Sequence, residues 1–134
     1  MRLLLDTHIL LWALTDDPLL PSAARTLILD ESNEITYSVA SAWEVSIKHS
    51  LHPDRMKVGA SQFVEFCEEA GYEPLPLCNR HVAALETLRR PSTAPCHSDP
   101  FDRIMVAQAK ADNLLFITHD ALIAHYEEPC ILPV

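Results

Sequence analysis

The sequence predicts an α/β domain in three layers, a short central parallel sheet with helices on both faces. Three observations predict it. Short apolar runs that suit buried strands alternate along the chain with longer stretches of helical pattern, and such alternation argues for parallel strands joined by helical crossovers. The chain has 134 residues, 49% of them hydrophobic and 22% charged, which is one ordinary domain with enough apolar surface for a real core. No internal repeat, low-complexity tract or linker interrupts it, so residues 1–134 read as a single domain.

Arg2 to Leu5 is an apolar run ending at an acid, as a buried strand would. Ile9 to Leu14 suits a buried helix. Pro18 and Pro21 punctuate the chain before a second helical segment, Ser22 to Leu29. Asn33-Glu34 makes a turn into the strand Ile35 to Ser38, and a helix from Val39 to about Leu51 is stopped by Pro53. The amphipathic segment Ser61 to Ala70 precedes Gly71, a helix-terminating glycine. Leu75 and Leu77 alternate with Pro74 and Pro76, so that strand must be short or lie at an edge. Asn79 is expected to cap a helix through Leu88. Pro91 to Ser98 reads as a loop, Asp99 to Ala111 as a helix and Leu114 to Thr118 as a strand. A last helical turn and the run Cys130 to Leu132 complete the chain.

Composition excludes several functions. No apolar stretch approaches the roughly 18 residues of a membrane span. The longest is Ile9 to Leu14, and Asp6 interrupts the apolar N-terminus, which speaks against a signal peptide. The expectation is a soluble, cytoplasmic protein without a membrane partner. Two glycines, Gly59 and Gly71, are too few for a dinucleotide fingerprint or a P-loop. Four scattered cysteines, Cys67, Cys78, Cys96 and Cys130, make neither a disulfide scaffold nor a C-x-x-C zinc site. With 19 acids against 10 bases the formal charge is −9, so a polyanionic substrate would need local basic residues or bound cations.

The acids fall where such sheets bind ligands, at the carboxyl ends of strands. Asp6 follows the first strand and Asp120 the fourth. Asp99 and Asp102 open the long helix, and Glu44 sits one turn into the helix after the second strand. Each has an ordinary explanation. Asp6 and Asp99 could cap helices, Asp102 could favour the helix dipole, and Asp120 could start a short helix from Ala121 to Tyr126. Glu44 could share a capping box with Ser41 or pair with Lys48. Val39, Ala40, Trp43, Ile47 and Leu51 form one apolar stripe, with Glu44 at its margin. Together the ordinary explanations weaken, because carboxylates this close repel unless cations intervene. Hard oxygen ligands in this number suit Mg²⁺ or Mn²⁺, and the chemistry such clusters serve is metal-assisted phosphodiester hydrolysis.

Four stretches carry a family resemblance: Leu3-Leu4-Leu5-Asp6-Thr7-His8; Ser41-Ala42-Trp43-Glu44-Val45-Ser46-Ile47-Lys48; His97-Ser98-Asp99-Pro100-Phe101-Asp102-Arg103 continuing to Ala109; and Ile117-Thr118-His119-Asp120. In order and spacing they resemble PIN-domain proteins of the VapC toxin type, over nearly the whole chain. Asp-Pro-Phe-Asp-Arg is the most specific piece. The resemblance implies a PIN-like fold and a Mg²⁺- or Mn²⁺-dependent ribonuclease, the toxin of a type II toxin–antitoxin pair. It places the acidic quartet on Asp6, Glu44, Asp102 and Asp120. Asp99 stays open between ligand, support and cap, while Thr118 matches the hydroxyl beside the fourth acid. Its expected partners are RNA, a cognate antitoxin with a basic segment, and a second copy in a homodimer.

Other features are weaker. His49 and His52 lie at helical spacing without a third ligand and read as a solvated pair. Cys96-His97 is a poor ligand pair, since neighbours rarely bind one ion together. His8 and His119 flank proposed ligands and are candidates to orient a water or phosphate. Arg89, Arg90, Arg103 and Lys48 are candidates to guide RNA phosphate. Phe63, Phe66 and Trp12 read as core or interface. Among competing functions, an aspartyl-phosphate phosphatase would need an aspartate where His8 stands, and a receiver domain would want a late lysine after the fourth strand. A non-catalytic module whose acid cluster docks an arginine-rich partner is the remaining alternative.

Overall fold

The computed structural model describes residues 1–134. Its strands are β1 (Arg2–Leu5), β2 (Glu34–Ser38), β3 (Glu73–Leu75), β4 (Leu115–Thr118) and β5 (Ile131–Pro133). Its helices are α1 (Thr7–Leu14), α2 (Ser22–Leu29), α3 (Val39–Leu51), α4 (Ala60–Glu69), α5 (Asn79–Leu85) and α6 (Pro100–Asp112), and a 3-10 turn spans Ile123–His125. All strand pairings are parallel, in the order β3-β2-β1-β4-β5. This is the α/β architecture expected.

Parallel strands need both faces covered, and alternation along them shows how that is met. Leu3 and Leu5 join Ile35, Tyr37 and Ile117 in a core with Ile9, Leu10, Ala24, Val45 and Phe63, so α1, α2, α3 and α4 contribute to covering this face. Leu4 and Phe116 point the other way, into a second core with Ile104, Met105, Val106 and Ala109 of α6. Each core holds 12 buried residues, so neither face is left open.

The chain builds outward from β1 in one direction through β2 and β3, then returns to lay β4 and β5 on the other side. The order therefore reverses between β1 and β4, and a crevice opens above the carboxyl ends of those two strands. Leu5 pairs with Ile117, and the Asp6 amide donates to the Ile117 carbonyl at 3.0 Å, so Asp6 and Thr118 sit side by side at the crevice floor.

Some boundaries differ from expectation. Helix α1 begins at Thr7, because Asp6 in extended conformation accepts from the Thr7 amide and caps it. Cys78, not Asn79, is the capping position of α5, where the His81 ring accepts from the Cys78 amide at 3.0 Å. That helix stops at Leu85 rather than Leu88, its end passing into turn-like bonds from Glu86 and Thr87. The apolar stripe of α3 is the larger correction. Val39, Trp43 and Leu51 are exposed, whereas Ala40, Ser41, Glu44 and Val45 are buried. The inward face of α3 borders the crevice as well as the core, so a carboxylate and a hydroxyl occupy it.

Candidate active site

Asp6 is buried, and both of its oxygens are held: Oδ1 accepts from the Thr7 amide and Oδ2 from the Thr118 hydroxyl, each at 2.7 Å. The Thr118 oxygen in turn accepts from the Asp120 amide at 3.1 Å. Thr118 thus ties the first and fourth acids into one unit. Burial pushes the Asp6 carboxyl above its ordinary value of 3.8, against the hydrogen bonds of Thr118 and Thr7 and the charge of His8; the charge of Glu44 adds to the rise. Asp120 Oδ1 accepts from the Leu122 amide, closing a turn that leads into the 3-10 turn rather than a helix from Ala121.

Glu44 comes from the second turn of α3. Ser38 caps that helix by accepting from the Ala40 amide, so no capping box joins Ser41 to Glu44. Ser41 instead bonds Thr7 at 2.8 Å and donates to the Met105 sulfur, locking α3 against α1 and α6. The pairing with Lys48 is real, at 2.7 Å, but engages only Oε2. Oε1 is buried and has no partner. A buried carboxylate oxygen without a donor is costly, and such orphans mark places where something else binds.

Asp102 lies on the first turn of α6. Burial, then the charges of Asp6, Asp99, Glu44 and Asp120, push its carboxyl up to about 8. Asp102 therefore feels Asp6, Glu44, Asp99 and Asp120 across one crevice, although no three His, Cys, Asp or Glu side chains close tightly enough to enclose an ion. Asp99 caps α6, its Oδ1 accepting from the Phe101 and Asp102 amides at 2.9 and 3.1 Å. Asp99→Ser should keep both fold and Mg²⁺ affinity, since serine caps as well as aspartate, whereas Asp99→Ala should lose about 1 kcal/mol of stability. Thermal unfolding with Mg²⁺ titration checks this; a large loss of affinity in the serine variant would make Asp99 a ligand.

His97 stands out from the structure more than from the sequence. Its side chain is buried, with Nε2 at 3.2 Å from Asp102 Oδ2 and Nδ1 at 2.8 Å from the Tyr126 hydroxyl. Arg103 donates to the same hydroxyl at 3.1 Å, and Arg90 lies 5.3 Å over the Tyr126 ring. Burial, with the charges of Arg90 and Arg103, outweighs Asp120 and Asp99 and holds the imidazole below its usual range. Every group is satisfied when Arg103 donates to Tyr126, Tyr126 to His97 and His97 to Asp102. The only hint in the sequence was the position of His97 just before the Asp-Pro-Phe-Asp-Arg stretch.

The remaining candidates separate. His8, Trp12 and His119 line a recess of about 240 Å³ with Asp6 and Asp120. Phe63 is core, as expected. His49 is not a free surface histidine, because its Nδ1 lies 2.8 Å from the Met56 carbonyl oxygen. Arg89 is drawn to Glu128 at the far end of α6, beside Lys110. All four cysteines are free.

Asp6, Glu44, Asp102 and Asp120 bring hard carboxylate oxygens to the crevice, one of them an orphan, with His8 and His119 beside them. Comparison with known proteins agrees with the architecture. VapBC2 from Rickettsia felis, solved in complex with a DNA fragment from their promoter, is similar with a TM-score of 0.66 and 15% identity, covering 100% of this chain and 98% of that one. No curated protein matches the sequence. The model of the PIN domain matches residues 3–129, and with nearly its whole length so matched the chain belongs to the PIN domain family.

Proposed function

We propose that this protein is a Mg²⁺- or Mn²⁺-dependent endoribonuclease, the VapC-type toxin of a type II toxin–antitoxin pair. The observation that carries the reading is the orphaned Oε1 of Glu44, buried in a crevice where burial, and after it the acidic neighbours, push Asp102 up to about 8. A crevice of this kind has too much negative charge for its own residues and suits a cation. Asp6, Glu44, Asp102 and Asp120 would hold it, and such an ion supplies Lewis acidity and a water of lowered pKa.

The chain's own residues do the rest. Thr118 and the Thr7 amide fix both oxygens of Asp6, so its carboxylate cannot rotate away. His97, itself held by Tyr126, fixes Oδ2 of Asp102. Arg103 and Arg90 bring positive charge to the Asp102 side of the crevice, where a phosphate must be drawn against a net charge of −9. Hydrolysis joins a water oxygen to phosphorus as the bond to the leaving ribose oxygen breaks.

The antitoxin reading is supported by the solved neighbour, itself a VapBC complex. A basic, initially disordered antitoxin segment would place an arginine or lysine among the carboxylates. The exposed Val39 and Trp43 of α3 offer an apolar face for the homodimer, and a cytoplasmic setting fits a chain with no helix able to cross a membrane. Purified protein should cut single-stranded RNA in Mg²⁺ and stop on addition of a chelator. Intact RNA under both conditions, with retained binding of arginine-rich peptides, would favour the non-catalytic module.

A further inference from the structure

Ten lysines and arginines serve a chain of −9, and their disposition is selective. Arg2, Arg25, Lys48, Arg80, Arg89 and Lys110 are in ion pairs, whereas Arg55, Lys57, Arg90 and Arg103 are in none. Three of the four unpaired cations border the acidic crevice or the recess beside it. Arg90 and Arg103 surround Tyr126, which reaches Asp102 through His97. Arg55, in the loop after α3, stands on another flank, beside His8.

On that flank His8, Lys48, His52, Arg55 and Met56 line a recess of about 280 Å³ without a single acid. It adjoins the crevice twice, sharing His8 with the recess that holds Asp6 and Asp120, and Lys48 with Glu44. The loop that carries Arg55 is fastened. The amides of Arg55 and Met56 donate to the His52 carbonyl at 3.0 and 2.9 Å, and the Met56 carbonyl bonds the His49 ring. The same ring lies so near Gly59 that an added Cβ would meet it at 3.4 Å. The backbone around the recess is thus held before any ligand arrives.

We propose that this recess binds a backbone phosphate of the single-stranded RNA next to the one being cut, so that the strand crosses the crevice from Arg55 toward Arg90 and Arg103. This rests on the ribonuclease reading. The exposed, unpaired Arg55, with Lys48 and two histidines around an acid-free dent, suits a diester phosphate, which offers charge and acceptors but no base identity.

The test is the binding of a short fluorescent single-stranded RNA in chelator, where it is not cut, followed by anisotropy over a range of salt. Arg55→Gln should weaken binding several-fold and flatten the log–log salt dependence by roughly 0.7. Arg55→Lys should restore most of both, and Arg25→Gln, which removes the same charge from the pair with Asp16, should change neither. If Arg55→Gln and Arg25→Gln behave alike while the parent binds and cuts RNA, the recess is overturned and the ribonuclease reading stands. A parent that neither binds nor cuts RNA overturns both. Displacement of RNA by polyglutamate at equal charge from the parent but not from Arg55→Gln would assign the recess to an acidic protein segment instead.

Discussion

Asp102→Asn should abolish RNA cleavage, by more than the roughly 10–100-fold that loss of a group behind a metal ligand costs. It should also shrink the stabilisation by Mg²⁺, which follows RT ln(1 + [L]/Kd) when only the folded state binds. Without metal the variant reveals the crowding of charge. The parent carboxyl sits at about 8 when folded and near 3.8 ordinarily. Between those values the folded state holds the proton more tightly, so stability is greatest at the acid end, falls as pH rises toward 8 and levels off above it. Melting temperatures in chelator should show this decline in the parent and less of it in Asp102→Asn, which should be the more stable of the two above pH 8. Full ribonuclease activity in Asp102→Asn would make the quartet assignment wrong.

The second large effect concerns the scaffold. Phe116 is fully buried on β4, paired in register with Leu4 and packed into the core beneath α6. Phe116→Ala should lose about 3–5 kcal/mol, a large share of the roughly 5–15 kcal/mol that holds such a domain together. Leu19→Ala, at a side chain 65% exposed, should stay within about 0.5 kcal/mol. Denaturant midpoints at constant slope would establish the contrast, and a Phe116→Ala loss as small as that of Leu19→Ala would contradict the two-faced core.

These two positions were legible in the sequence for different reasons. Phe116 lies in a run whose only use is a buried strand. Asp102 follows a capping acid and a proline, a local pattern that fixes the helix start and therefore the side chain's place. What escaped was governed by contacts distant in sequence. The α3 stripe was assigned inward because apolar residues usually face the core, yet this helix turns Ser41 and Glu44 inward to reach Thr7, Met105 and the crevice. In the sequence His97 reads as half of a poor ligand pair with Cys96. Its partners, Tyr126 and Asp102, are 29 and 5 residues away, and only folding brings all three together. His81 was invisible for the same reason. It is fully buried, and its Nδ1 accepts from the Cys78 amide, so Nε2 carries the proton to Asp112 and fastens α5 to α6.

The sheet's two margins limit how the molecule can associate. Both outermost strands, β3 and β5, are three residues long, and each contains a proline, Pro74 and Pro133. Proline offers no amide hydrogen, and strands this short present almost no template, so neither rim can accept another chain's strand. Intermolecular sheet extension is closed to this fold, along with the amyloid-like stacking that begins from open rims. The surfaces left for recognition are helices and loops, which meet a partner through side chains rather than through a shared ladder of backbone bonds.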